Sequence, residues 1–167
     1  MKRTKPFTLI ILIVITAVFL ASCATKSFST TLSCNELSKS LKGEISSNKQ
    51  EFTQYTEEEI RFLFPSFELY DDATVIYSND SVDITEVGFL HASSEKHAHE
   101  LLEDAKGYIH ELQEQKREFL QSYSPTELLK LNSAEAKRFG RYVIFVIAEQ
   151  GDVDKVFKRA EMLLTKN

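Results

Sequence analysis

The chain has 167 residues, with 20 Lys and Arg against 25 Asp and Glu and a net charge of −5. That length suits one compact domain with a core. The acidic balance excludes a nucleic-acid binder, which needs a basic face, and it opposes adsorption to anionic lipid.

Lys2, Arg3 and Lys5 form a basic start, and an apolar run follows from Phe7 to about Leu20. These are the basic and hydrophobic regions of a secretory signal. At about 1.5 Å per residue the run reaches roughly 22 Å, short of the roughly 30 Å bilayer core. It ends in Leu20-Ala21-Ser22-Cys23, which resembles the lipobox of bacterial lipoproteins: an aliphatic residue, two small residues, then cysteine. The resemblance implies cleavage between Ser22 and Cys23, a lipid on the Cys23 sulfur, and a cell-membrane anchor on the extracytoplasmic side. Residues 1–22 are then a signal peptide and 23–31 a lipidated, Ser/Thr-rich flexible tether. Residues 32–167 form a single α+β domain, with N-terminal helices over 32–64. Loss of Lys2, Arg3 and Lys5 takes the mature chain to 17 − 25 = −8.

Ser33 to about Leu41 reads as a short helix with Cys34, Leu37 and Leu41 on one face, so Cys34 is expected buried and unpaired. With Cys23 acylated there is no disulfide framework. "KGEISSNKQ" interrupts. In "TEEEIRFLFP", Thr56 and Glu59 make a capping box and Pro65 a stop. Phe62, Phe64 and Phe67 are expected to fill the core where the N-terminal helices meet the sheet. Thr74–Tyr77 and Val82–His91 read as a hairpin across "SNDS". Val82 and Ile84 fall on one face of the second strand, Val87 and Phe89 on the other. Either a bulge near Thr85 and Glu86 resets the phase, or both faces are covered.

Ser93–Tyr123 has helical periodicity through Ala98, Leu101, Ala105, Tyr108, Ile109, Leu112 and Leu120, with a second contact expected at Phe119–Tyr123. A short helix follows: Ser124 caps, Pro125 takes the first position and Glu127 completes a second capping box. Glu135–Phe139 and Arg141–Ala148 read as a second hairpin turning at Gly140. "YVIFVIA" lacks alternation, as in a central strand covered on both faces. Asp152–Leu164 closes the chain as a helix. The order predicts a four-stranded, mostly antiparallel sheet, β-β-α-(short α)-β-β-α, with both long helices on one face and short helices before it. The second sheet face is assigned to the N-terminal helices through Leu37, Leu41, Ile60 and Leu63.

Over about Phe67 to Leu164, "TEVGF", "FLQSYSPTELLKL" and "GRYVIFVIA" resemble a family of small Gram-positive lipoproteins classified only as a domain of unknown function. Glu86, Gly88, Tyr123, Pro125, Glu127, Gly140 and Tyr142 carry the likeness. Each also has a structural use as a cap, a turn, a bulge or a core ring. The resemblance implies an envelope address and this fold, and no activity.

The chemistry-bearing residues are sparse. His97 and His99 diverge by about 200° on a helix, and His99 and His110 lie about 16 Å apart along it. With His91 they offer no zinc geometry, and solvated helix histidines are expected. Asp71, Asp72, Asp80 and Asp83 surround the first hairpin without a calcium-loop spacing, which suggests turn and cap duty. No metal and no cofactor is expected. Glu86 is the carboxylate to watch: an interior position would raise its pKa, while a bulge turning it to water is the expectation. The reading is a membrane-anchored, non-enzymatic module, a monomeric domain that binds an envelope protein. The alternative is a small-ligand or enzymatic site near Glu86, Tyr123 and Tyr142.

Overall fold

The computed structural model describes residues 27–28, 31–45 and 51–165. The signal sequence, Ser22 and Cys23 lie outside the described residues. Among the described residues no helix is long and apolar enough to cross a membrane.

Helix α1 spans Cys34–Leu41 and starts on a complete capping box: Ser33 Oγ accepts from the Glu36 N–H, and the Glu36 carboxylate accepts from the Ser33 N–H at 2.8 Å. Strand β1, Phe52–Gln54, was not anticipated. Three residues in a polar stretch are too few for a period-two pattern to register. Helix α2, Glu57–Leu63, begins at the Thr56–Glu59 capping box and ends before Pro65, as the sequence predicts. Strand β2 runs Tyr70–Ser78 and β3 runs Glu86–Ala92. Helix α3, Glu95–Tyr123, is the longest element at 29 residues. Helix α4, Pro125–Asn132, has Pro125 at its first position. Strands β4, Glu135–Phe139, and β5, Tyr142–Ile147, turn at Gly140, whose φ of 61° suits glycine. Helix α5 spans Gln150–Leu164.

The sheet has five strands in the order β1-β2-β3-β5-β4, every neighbouring pair antiparallel. The α+β class stands, and the strand number is corrected from four to five by β1. The second correction concerns the layers. The long helices α3 and α5 lie on opposite faces of the sheet, not on one. In β5, Tyr142, Ile144 and Val146 enter a core with α1 and α5, including Leu37, Leu41, Val153 and Phe157. Val143, Phe145 and Ile147 enter a second core with α2 and α3, including Ile60, Phe64, Leu101 and Ala105. All six β5 residues are buried. A helix layer on one side alone would have left one apolar row in water, at about 25 cal/mol per Å². The N-terminal helices do cover the sheet, but they divide between its faces.

Strand β3 explains its own broken phase. Val87 and Phe89 face the α1/α5 core and Leu90 and Ala92 the α2/α3 core, so both faces are covered. No bulge sits at Thr85 and Glu86. The strand simply starts at Glu86, and the register shift lies between Tyr70 and Asp72. Of the aromatic trio only Phe64 is core. Phe62 and Phe67 are 85 % and 55 % exposed, and the Arg61 guanidinium lies 5.3 Å over the Phe67 ring. Phe119 and Tyr123 are also exposed and lie against each other at 5.0 Å, while Leu120 between them is buried. Phe28, within the tract read as tether, is docked: it bridges to Thr165 and packs edge-on against Phe139 at 6.0 Å.

Candidate functional site

Strand alternation decides where Glu86 points. The register aligns Tyr77 of β2, Glu86 of β3 and Ile147 of β5 across the sheet. These residues share the face that α3 covers. Glu86 therefore enters the interior and is buried, contrary to the expectation that a bulge would turn it to water. The physical reason is that the turn absorbs the odd residues before Glu86, so the strand needs no bulge. Tyr108 of α3 donates its hydroxyl hydrogen to Glu86 Oε1 at 2.8 Å. Among the described residues the Glu86 carboxylate has no ion-pair partner.

A cavity of about 190 Å³ opens beside this carboxylate. Its walls include Tyr55, Tyr77, Asp83, Glu86, Leu112 and Lys116. Tyr55 and Tyr77 stack at 4.4 Å between ring centroids. Tyr108 and Leu112 sit four residues apart on α3, and exposed Lys116 one turn further, so one helix face serves the cavity. Burial pushes the Glu86 carboxyl up to about 7, against the lowering influence of the Tyr108 hydrogen bond and the Lys116 charge. Burial also pushes the Tyr55 phenol up to about 12, with the charge of Glu86 adding to it. The Tyr108 phenol is raised for the same two reasons.

A separate ionic cluster borders the cavity. Lys130 of α4 bridges Asp83 at 2.8 Å and Glu127 at 3.0 Å. Glu127 also accepts the Ile84 N–H at 3.0 Å, and Asp83 accepts from Thr85. Here Glu127 departs from its expected role. Ser124 makes no side-chain cap bond, and Glu127 instead clamps α4 to the β2–β3 turn. Burial opposes ionisation of Asp83, but Lys130 and Thr85 together hold its carboxyl below the usual range.

The other sequence-selected positions do not join this site. Tyr123 is 77 % exposed at the end of α3. Tyr142 lies on the opposite sheet face, where its hydroxyl donates to the Leu32 carbonyl and pins the segment before α1. Gly88 lies against the Phe145 ring, 1.9 Å from where a Cβ would stand. Pro125 starts α4 and Gly140 turns the second hairpin. The carboxylates around the first hairpin serve structure: Asp71 bonds His91 Nδ1 at 2.5 Å and pairs with Arg141 at 2.8 Å, Asp72 accepts the Cys34 N–H at 2.7 Å, and Asp80 accepts the Val82 N–H. His91 is thus a strand residue tied to an acid, and His97 bonds Ser93, while His99 and His110 are exposed on α3. Among the described residues no cluster of three potential metal ligands occurs.

Sequence reasoning found Glu86 but missed Tyr55, Tyr77 and Lys116. The four-residue spacing of Tyr108, Leu112 and Lys116 could have placed one wall. Tyr55 carried no signal, because its position depends on the unrecognised strand β1.

A family model described as Domain of unknown function (DUF4358) matches residues 46–148. This span holds the whole sheet and the Glu86 cavity, and it excludes α1 and α5. Searches of curated proteins and of solved structures return no match.

Proposed function

The chain belongs to the family of the domain of unknown function DUF4358, and from that premise we propose that it is a lipid-anchored binding module on the extracytoplasmic side of the cell membrane. The observation that carries the binding role is the cavity walled by tyrosines around buried Glu86. A carboxylate removed from water at the edge of a small cavity supplies directional charge and hydrogen bonding, which is recognition chemistry. Placing it there costs stability that a purely structural residue need not cost.

The address rests on the basic start, the apolar run and Leu20-Ala21-Ser22-Cys23. Acylation of Cys23 would hold the chain at the membrane, with two or three chains needed for a stable anchor. The partner is a component of the envelope. A reading as an enzyme would also use the Glu86 cavity, but it does not draw on Tyr123 or Tyr142, which stand elsewhere.

Two measurements test the two halves. Cells expressing the wild-type chain should transfer a labelled fatty acid to it, and Cys23→Ser should abolish the label and leave the precursor unprocessed. A wild-type chain that takes up no label ends the anchored reading. For the binding role, a photo-crosslinker at Lys116 should capture a cell component in intact cells. Equal capture by a crosslinker at exposed Lys96 would refute the cavity as the site.

A further inference from the structure

We propose that the Glu86 cavity binds a small ammonium ligand, its N–H groups donating to the Glu86 carboxylate and to the phenol oxygens beside it. This deepens the binding-module reading and rests on it, independently of the anchor.

The first argument is the contrast between two neighbouring carboxylates. Asp83 Oδ1 accepts from the Lys130 ammonium and from both the N–H and the hydroxyl of Thr85. Glu86 is more deeply buried, yet it receives one hydrogen bond, from Tyr108, and no ion pair among the described residues. Carboxylates taken from water are ordinarily paired. A lysine pairs directly with the outer acid, whereas exposed Lys116 acts on the inner one through its charge without forming an ion pair, which leaves the inner carboxylate a place for a ligand cation.

The second argument is the lining. Against Glu86 stand Tyr108 and exposed Lys116 from α3, Tyr77 from β2, Tyr55 from the segment before α2, and Asp83 from the β2–β3 turn; β5 contributes apolar Ile147. Lys130 of α4 pairs with Asp83, and Glu127 pairs with Lys130. The interior polar positions are acceptors or amphoteric hydroxyls, and the cation in the wall, Lys116, is exposed. Such a lining rejects an anion at depth and admits a charged donor. The third argument is size. A cavity of about 150 Å³ holds benzene, so about 190 Å³ takes an amine of comparable bulk.

The test is an NMR shift titration of the full chain in detergent micelles with n-propylammonium, n-propanol and propionate, three probes of similar shape and different charge. Propylammonium should give saturable shifts at the Glu86 and Tyr108 amides, at least tenfold tighter than propanol, with propionate weaker still. Glu86→Gln, which keeps the shape and can still accept from Tyr108, should weaken propylammonium at least tenfold. Lys116→Ala, at an exposed position that cannot threaten folding, should tighten it two- to threefold by removing a repelling charge. Binding should also strengthen nearly tenfold from pH 6 to pH 8, as Glu86 ionises. Tighter binding of propionate, or equal affinity in the Glu86→Gln variant, overturns the assignment. If none of the probes binds saturably while crosslinking at Lys116 still captures a cell component, the ammonium ligand is wrong and the binding-module reading survives.

Discussion

Glu86 is the residue at which folding and the proposed recognition pull in different directions. Its carboxyl titrates near 7 in the fold against an ordinary value of 4.5. Between these values the folded chain holds a proton that the unfolded chain has released, so stability falls as pH rises through this window. The shift corresponds to roughly 3 kcal/mol at 1.36 kcal/mol per unit. Glu86→Gln should therefore match the wild type near pH 5 and exceed it by roughly 2–3 kcal/mol at pH 8. Urea melts at the two pH values check this, and parallel pH profiles for the two chains would refute the buried, ionising Glu86. The same kind of competition is absent at Cys34. Burial raises its thiol well above the ordinary value, with the Asp72 charge adding to the effect, and the side chain behaves as a small apolar filler.

Among the elements, α1 has the clearest separable task. Cys34, Leu37 and Leu41 are all at most 1 % exposed and close one end of the core shared with α5. The Tyr142 hydroxyl and the Asp72 carboxylate fasten it from the sheet. Removing residues 24–45 should uncover Ile76, Val87 and Phe89 and cost about 5 kcal/mol or more, since each large apolar residue lost from a core costs about 2–5 kcal/mol. Urea unfolding and binding of a dye to apolar surface measure both effects. An unchanged midpoint with no added dye binding would show that α1 covers nothing. Helix α2 should behave differently, because Ile60 and Phe64 belong to the other core.

At the scale of the molecule, the two cores share one sheet, and every residue of β5 contributes to one or the other. They should unfold together. Leu37→Ala on one face and Leu101→Ala on the other should each cost about 3 kcal/mol and shift the same single transition. Tyrosine fluorescence and thiol exposure at Cys34 should coincide throughout. Two separated transitions would mean that the faces are independent. This central role of β5 was legible in "YVIFVIA", whose unbroken apolar run predicts burial on both sides. The helices and hairpins were legible too, because capping boxes, Pro125 and Gly140 are local signals. The side of the sheet each long helix takes was not, since a helix's own periodicity names an apolar face and not its partner. The cavity was only half legible. Glu86 stands out as a charge inside an apolar strand, but its tyrosine neighbours come from three separate segments, and they meet only through the register of β1, β2 and β3 and the packing of α3 on the sheet.

The docking of Phe28 gives the molecule a compass. Its Cβ lies against the Gly140 turn, and its ring against Phe139, at the end of the sheet where His91 pairs with Tyr142. Glu86 pairs with Ile147 at the other end, five residues along the strand, or about 17 Å at about 3.4 Å per residue. Only five residue steps separate Cys23 from Phe28, a reach of at most about 18 Å. Under the proposed acylation of Cys23, the Gly140 turn would be moored near the lipid and the tyrosine-walled cavity would lie at the far end of the sheet. A ligand of that cavity would then reach it through the aqueous layer rather than laterally from the bilayer.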